Sequence, residues 1–258
     1  MRSRHQAYCA PRWCPPNCPF LSFMNPSLGE LNVRNLSAWD ALYASTGELI
    51  WGEAEVGFLA TFLAPEKAAG RNFRRALDAG TGEGRNLPGL LRLAEEVSAC
   101  DGAAAALAKI APDVAQRVRL EHCELATTPF ADGSFDFILL CDTIETLPDP
   151  APVLRELRRV LAPGGCLLCN IPGPEGDVAG TDMTMVGDAG FLYRQRYFYR
   201  FFHDEAAREL LAATGWRVIR DELVAWREAP HPGFRPEEHD HRSRIYLLGA
   251  VAEYERHG

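Results

Sequence analysis

The stretch Arg75-Ala-Leu-Asp-Ala-Gly-Thr-Gly-Glu-Gly-Arg85 decides the fold. Its first five residues form a short apolar run with an acid near its end, which is typical of a buried strand. Gly80, Gly82 and Gly84 lack a Cβ at every second position, so the chain can bend sharply and a ligand can approach the backbone closely. The free N–H groups of the following helix would face the same ligand. This order of strand, glycine turn and helix predicts a nucleotide-like cofactor at the top of an α/β sheet.

The spacing of the glycines argues against a dinucleotide. A G-x-G-x-x-G fingerprint counted from Gly80 would need glycine at position 85, which is Arg85. Asp78, two residues before the first glycine, would repel a pyrophosphate but suits a ligand with a cationic end. The run Leu-Asp-Ala-Gly-Thr-Gly-Glu-Gly resembles motif I of class I S-adenosylmethionine-dependent methyltransferases, whose ligand carries an amino group and a sulfonium.

Further segments resemble the same family in the same order. Glu96–Asp101 and Val118–Glu124 fit the second and third strands, and Phe135–Asp142 fits the fourth. The phrase Arg-Val-Leu-Ala-Pro-Gly-Gly precedes the apolar strand Cys166–Ile171, and a last helix leads into two final strands. The resemblance covers roughly residues 36–254, and several segments in order are harder to obtain by chance than one motif.

The resemblance implies a set of contacts to S-adenosylmethionine. Asp101 ends the second strand, where an acid can accept hydrogen bonds from both ribose hydroxyls. Glu124 would take the amino edge of adenine, where the family more often has Asp. The implied cofactor-binding residues are Asp78, Gly80, Thr81, Gly82, Gly84, Asp101, Gly102, Glu124, Leu125 and Asp142.

Composition and order of elements predict one globular domain. The chain is 47% apolar and 24% charged, which is typical of a folded α/β protein. Apolar runs alternate with helical stretches, so the sheet should be mostly parallel. The family adds a Rossmann-like, doubly wound, seven-stranded sheet with an antiparallel last strand. We expect residues 36–258 to form this domain, and residues 1–35, which are rich in proline and cysteine, to be a disordered extension.

Charge and hydropathy restrict the class of partner. The net charge is −8, which makes the chain a poor partner for nucleic acid or an anionic membrane. No run of 18 apolar residues and no signal-peptide h-region is present, so a cytoplasmic location is expected. The oligomeric state is left open.

Three segments are candidates for binding the methyl acceptor. They are the N-terminal stretch Trp39–Tyr43 with Trp51-Gly52, the end of the fourth strand at Asp142–Glu145, and the long insert 172–204, which has the length of a lid or binding loop. Aromatic side chains in these segments either contact the acceptor or simply pack the segments onto the domain. The predicted acceptor residues are Trp51, Glu145, Tyr193, Tyr197 and His203.

No metal site is predicted. His231, His239 and His241 lie near several acids, but a solvated polar loop is the simpler interpretation. Asp142 and Asn170 resemble part of the magnesium site of catechol-type methyltransferases, yet Cys169 stands where that site has an Asp. Cys166 and Cys169 should point to opposite faces of their strand, because side chains alternate there.

The sequence favours methyl transfer from S-adenosylmethionine to a small-molecule acceptor. Strand four ends in Cys141-Asp-Thr-Ile144, which lacks the Asn/Asp-Pro-Pro-Tyr/Phe and Pro-Cys motifs of nucleic-acid methyltransferases. No catalytic residue is assigned, because a general base is needed only if the acceptor is protonated in its ground state. The alternatives are a non-catalytic or regulatory cofactor-binding protein, a protein methyltransferase and, least consistent with the glycine spacing, a nicotinamide-dependent oxidoreductase.

Overall fold

A seven-stranded sheet forms the centre of the computed structural model, which describes residues 26–174, 182–186 and 190–251. Its strands are β1 Phe73–Ala79, β2 Ala94–Asp101, β3 Arg119–His122, β4 Phe135–Leu140, β5 Leu161–Pro172, β9 Trp216–Glu228 and β10 His239–Ala250. Their order in the sheet is β3-β2-β1-β4-β5-β10-β9. Strands β1 to β5 are parallel, and β10 is antiparallel to both β5 and β9. The predicted α/β fold with an antiparallel last strand is therefore confirmed.

Helices connect these strands and cover the sheet. They are α1 Leu28–Ala44, α2 Gly57–Ala68, α3 Leu87–Leu90, α4 Ala104–Leu107, α5 Pro112–Ala115, α6 Ala151–Val160 and α7 Asp204–Ala213, with a 3-10 turn at Ile144–Thr146. Among the described residues, no helix is long and apolar enough to cross a membrane.

The central strands are buried on both faces, which explains their nearly continuous apolar sequence. One apolar cluster packs against α6 and α7, and a second packs against α2 and α3. Cys169 belongs to the first cluster and Cys166 to the second. The two cysteines therefore lie on opposite faces, as the alternation of side chains predicts.

Helix α1 begins earlier than the sequence suggested. Ser27 and Glu30 form a reciprocal capping box that fixes the helix start, and Leu31 and Asn35 are buried. The predicted disordered extension is therefore wrong for residues 28–35, because this capped turn packs on the fold. Residues 1–25, with Cys9, Cys14 and Cys18, lie outside the described residues.

The insert after β5 carries a small antiparallel sheet of its own, which the sequence did not predict. Its strands are β6 Met183–Val186, β7 Gly190–Tyr193 and β8 Tyr197–Tyr199. Asn35 ties this sheet to the domain. Its amide nitrogen donates to the carbonyl of Thr146 at 2.7 Å, and its oxygen accepts from the N–H of Phe198 at 2.8 Å.

The connection between β9 and β10 lies at the same edge of the sheet as the glycine turn. Because β10 is antiparallel to both neighbours, β9 runs parallel to β1–β5. The carboxyl end of β9 therefore meets the carboxyl ends of the central strands, where ligands bind in open α/β sheets. This topology brings residues 228–241 to the site.

Candidate active site

A cavity of about 670 Å³ opens at the carboxyl ends of the central strands. Its size suits small ligands. Eight of the ten predicted cofactor residues line it: Gly80, Thr81, Gly82, Asp101, Gly102, Glu124, Leu125 and Asp142. The insert, the N-terminal aromatic residues and the β9–β10 connection supply the remaining walls.

The glycine turn adopts the conformation that its sequence requires. Gly80, Gly82 and Gly84 have φ angles of 74°, 55° and 81°, which other residues rarely adopt. A Cβ at Gly80 would overlap the side chain of Thr143. Gly84 does not line the cavity; a Cβ there would press on Leu87 at 2.9 Å, so this glycine serves close packing.

Asp101 is held in place by the backbone around it. Its Oδ2 accepts a hydrogen bond from the N–H of Gly82 at 2.8 Å, and its Oδ1 accepts one from Ala103 at 2.8 Å. Burial raises the pKa of Asp101, whereas these backbone hydrogen bonds act in the opposite direction. The carboxylate thus joins the glycine turn to the end of β2 and keeps further lone pairs on the cavity wall.

Asp78 does not line the cavity. Its Oδ2 accepts a hydrogen bond from the hydroxyl of Thr81 at 2.8 Å, and its Oδ1 is buried without a hydrogen-bond partner among the described residues. Burial raises the pKa of Asp78 to about 7. The side chain therefore lies behind the turn and supports it. It does not reach the cavity, so it does not make the predicted direct contact with a cofactor.

Asp142 is engaged by neighbouring side chains. Its φ angle is 46°, an uncommon value for a residue other than glycine. Asn170 accepts from the N–H of Asp142 at 2.8 Å and donates to its Oδ1 at 2.6 Å. Arg85 pairs with Oδ2 at 2.6 Å. The partial resemblance of Asp142 and Asn170 to a magnesium site is therefore misleading, because an amide and a guanidinium occupy the carboxylate.

Three of the five predicted acceptor residues reach the cavity, namely Trp51, Glu145 and Tyr193. Tyr197 is buried beside Trp39, with the ring centroids 4.9 Å apart, and it packs the insert instead. His203 is exposed and is the N-cap residue of α7, outside this cavity. Tyr197 and His203 therefore do not reach the cavity, because Tyr197 packs against Trp39 and His203 lies at the start of α7.

Glu145 is the most unusual titratable group in the acceptor part of the cavity. It is buried, and its Oε2 has no hydrogen-bond partner within the described part of the chain. Burial, followed by the nearby charge of Asp142, raises the pKa of Glu145 to about 8. At neutral pH the side chain is therefore mainly a neutral acid that can donate or accept a hydrogen bond.

The sequence missed two charged residues that organise the cavity. Glu83 is buried and accepts hydrogen bonds from the N–H groups of Ile50 and Trp51 at 2.7 and 3.2 Å. Arg85 bridges Asp142 and Glu228. Both residues stand within or next to the glycine motif, and that position was the only available signal for them.

Aromatic residues from the predicted acceptor segments, and Phe234 from outside them, form the acceptor wall. Trp39, Tyr43, Tyr199 and Phe234 line the cavity together with Trp51. Trp39 packs against Trp51 and Phe234 with ring centroids 6.2 and 5.5 Å apart. The indole N–H of Trp51 donates to the hydroxyl of Tyr43 at 2.8 Å. These rings form a wall that offers flat apolar faces to a ligand.

The histidines of the β9–β10 connection are not solvated. His231 and His239 are buried, whereas Glu237, Glu238 and Asp240 are exposed. The expected polar loop is therefore wrong for the histidines, because the loop folds back over Ile50. All three histidines and Glu228 line the cavity.

Comparison with known proteins finds a family model and curated relatives that match part of this chain. Residues 77–169 match a family model described as a methyltransferase domain. A demethylmenaquinone methyltransferase of Bacillus velezensis is 42% identical over 86 residues, which is 33% of this chain and 34% of the relative. The chain spans about a third of the length of the curated relatives that it matches.

Solved structures extend the similarity to most of the fold. The 1,6-didemethyltoxoflavin-N1-methyltransferase of Burkholderia thailandensis, bound to 1,6-didemethyltoxoflavin and S-adenosylhomocysteine, has a TM-score of 0.65 at 19% identity. That match covers 88% of this chain and 91% of the other. The [4+2]-cyclase SpnF matches with a TM-score of 0.55 at 17% identity, over 88% and 98% of the two chains. Residues 77–169 therefore match the methyltransferase domain family model, and the described chain has a Rossmann-like fold similar to that of these solved structures.

Proposed function

We propose that this protein is an enzyme that transfers the methyl group of S-adenosylmethionine to a small-molecule acceptor bound in the same cavity. The observation that carries the proposal is the two-part wall of the cavity. One part is the glycine turn with Asp101, and the other is the aromatic wall with Glu145. A cofactor and an acceptor in one cavity meet the main requirement of the reaction, which is close and aligned approach.

The residues at the glycine turn fit the proposed cofactor. Gly80 and Gly82 leave the backbone open to close approach, and Asp101 offers carboxylate oxygens where a ribose would lie. Glu124 and Leu125 line the next part of the wall, where the adenine is expected. When bound, S-adenosylmethionine supplies an electrophilic methyl carbon.

The acceptor wall fits a planar molecule. Trp39, Trp51 and Phe234 present ring faces, and stacking on such faces favours a flat, conjugated ligand. Demethylmenaquinone and 1,6-didemethyltoxoflavin stand in the names of the matched proteins, which accords with this class without selecting either compound for this chain.

Glu145 is our candidate for handling the acceptor proton. A carboxyl group with a pKa near 8 is close to the value that favours proton transfer at physiological pH. Its Oε2 has no hydrogen-bond partner among the described residues, so an acceptor O–H or N–H that reached it would supply the first one. The side chain of Glu145 is buried on the cavity wall.

The proposal is tested by replacing Asp101 and measuring the binding of S-adenosylmethionine by calorimetry. Asp101→Ala should weaken binding at least tenfold, because a charged hydrogen-bond partner is lost. The control is Asp113→Ala, since Asp113 is an exposed aspartate in α5. Equal affinities for the two variants would contradict the assignment of the ribose site.

Turnover is tested separately from binding. The purified protein is incubated with S-adenosylmethionine and a panel of planar phenols, quinols and nitrogen heterocycles, and S-adenosylhomocysteine formation is measured. Product that depends on one acceptor supports the enzyme. Tight cofactor binding with no product across the panel would favour the non-catalytic alternative, and product only with protein substrates would favour a protein methyltransferase.

A further inference from the structure

Four side chains at the β9–β10 end of the cavity bring their metal-binding atoms together. Glu228, His231, His239 and His241 each offer one ligand atom, and these atoms all lie within 4.8 Å of one another. Oε2 of Glu228 lies 2.9 Å from Nε2 of His231 and 3.4 Å from Nε2 of His241. Nε2 of His239 lies 2.9 Å from Nε2 of His241. Ligands about 2.1 Å from a common ion are separated by roughly 3–4 Å, so small side-chain movements would complete the set.

The outer nitrogens of two histidines fix the direction of the inner ones. Nδ1 of His231 lies 3.1 Å from the carbonyl of Ile50, and Nδ1 of His239 lies 3.0 Å from the carbonyl of Glu237. A carbonyl can only accept, so each Nδ1 donates its proton outwards and each Nε2 faces the cluster. Metal-binding histidines are oriented by the same kind of hydrogen bond.

Glu228 is oriented in a corresponding way. Its Oε1 accepts hydrogen bonds from Arg85 at 3.2 Å and from the indole N–H of Trp226 at 3.0 Å. Its Oε2 is thereby turned towards the histidines. His241 stacks on Trp226 with ring centroids 5.2 Å apart, which fixes the plane of its ring.

One buried nitrogen of the cluster has no hydrogen-bond partner among the described residues. This atom is Nε2 of His231, which lies 2.9 Å from Oε2 of Glu228 in a contact that is not aligned as a hydrogen bond. The Nε2 atoms of His231 and His239 and the Oε2 atom of Glu228 lie close together at one end of the cavity, and a cation bound between them would interact favourably with all three. Three imidazoles and one carboxylate form a donor set that suits zinc and related divalent transition metals.

We propose that Glu228, His231, His239 and His241 bind one divalent transition-metal ion, with zinc as the preferred metal. The ion lies on the cavity wall beside Trp51, whose ring centroid is 4.7 Å from that of His231. Metal binding does not depend on the proposed methyl transfer, so either statement can fail without the other.

The test uses the full chain without a polyhistidine tag, stripped with a chelator and dialysed. Calorimetric titration with zinc chloride should show one site per chain, and titration with cobalt should produce a visible absorption band. The double variant His239→Ala/His241→Ala should bind zinc at least 100-fold more weakly and give no band. His203→Ala is the matched control, because His203 is exposed and lies outside the cavity. This variant should bind like the parent chain.

Three results would overturn the proposal. They are zinc binding by the double variant with the parent affinity, equal loss in the His203→Ala control, and no binding by the parent chain. Circular dichroism shows whether the double variant is folded. If it is not, His241→Ala replaces it, since the side chain of His241 is only half-buried. A loss of at least tenfold in that variant supports the site, and an unchanged affinity overturns it.

Discussion

Arg85 shows how one side chain connects the motif to the rest of the cavity. It follows the last glycine of the turn and pairs with Asp142 on one side and Glu228 on the other, at 2.6 and 3.2 Å. Its side chain is only 11% exposed, so its charge is compensated almost entirely by these two carboxylates. Arg85 therefore joins the ends of three strands electrostatically.

Replacing Arg85 should be costly. Arg85→Met leaves two partly buried carboxylates without their shared cation, and we expect the free energy of unfolding to fall by about 3 kcal/mol. The control Arg74→Met removes an exposed pair with Glu95 at 3.9 Å and should change it by less than about 0.5 kcal/mol. Urea unfolding of both variants measures the difference. Similar values for the two would show that the bridge contributes little.

Glu145 predicts a pH dependence of stability. Burial raises its pKa in the folded state to about 8, above the ordinary value of 4.5. Between these values the folded protein holds a proton that the unfolded chain has lost, so this group makes the free energy of unfolding fall as pH rises. Glu145→Gln should remove that contribution, which is at most about 1.4 kcal/mol per pH unit in this window.

The measurement compares urea unfolding from pH 5 to pH 8. The curve of Glu145→Gln should be flatter than that of the parent protein, and Glu209→Gln, which changes an exposed glutamate of α7, should leave the curve unchanged. A parallel curve for Glu145→Gln would mean that Glu145 is ionised in the folded protein.

At the residue scale, the sequence predicted the role of a side chain where that role follows from its position at the end of one strand. Asp101 could be predicted because it ends a strand beside the glycine turn, and the structure places it on the cavity wall. Arg85 could not, because its partners lie 57 and 143 residues further along the chain. Asp78 matched the family motif, yet its side chain turned out to support the turn from behind.

At the scale of elements, the segment between α1 and α2 depends on one glutamate. Glu83 accepts from the backbone of Ile50 and Trp51, and its other oxygen pairs with Lys109 at 3.0 Å. The carbonyl of Ile50 in turn contacts His231. The glycine turn thus holds the segment that carries Trp51, and this segment holds the β9–β10 connection.

Removing that support should loosen the segment without unfolding the domain. In Glu83→Ala we expect the amide hydrogens of Ile50 and Trp51 to exchange at least tenfold faster, because their acceptor is lost. Glu53→Ala, which changes an exposed glutamate of the same segment, is the control and should leave these rates unchanged. Hydrogen exchange followed by mass spectrometry reports both. Unchanged protection in Glu83→Ala would show that other contacts hold the segment.

Regular elements were predictable to different degrees. The central strands could be found because their apolar runs are long and lie between clear turns. The early start of α1 was missed, because the proline-rich stretch was interpreted as disordered up to residue 35 and the Ser27–Glu30 capping box within it was not recognised. The insert was expected to be a lid, but its three short strands alternate too weakly in hydropathy to be recognised.

At the scale of the whole molecule, strand order creates the cavity. The glycine turn follows β1 at the centre of the sheet, and the histidines lie beyond β9 at its edge. Asn35 of α1 donates to the carbonyl of Thr146 and accepts from the N–H of Phe198, so it connects α1 to the insert. Motifs along the chain indicated the fold, and the acceptor wall was predicted in part, since Trp51, Glu145 and Tyr193 line the cavity. Phe234 could not be predicted, because it reaches the cavity through contacts between distant segments.

The fold by itself leaves the reaction open, since the [4+2]-cyclase SpnF shares it. The glycine turn and Asp101 line the cavity and favour a specific cofactor. Ligand binding therefore tests the proposed function more directly than further comparison of folds. S-adenosylmethionine and NADH distinguish the two cofactor classes that such a turn can serve.

The most direct measurement is a calorimetric titration of the purified protein with S-adenosylmethionine and, separately, with NADH. We expect one site per chain for S-adenosylmethionine, with a dissociation constant in the micromolar range, and no binding of NADH. The absence of S-adenosylmethionine binding, or binding of NADH alone, would contradict the proposed function.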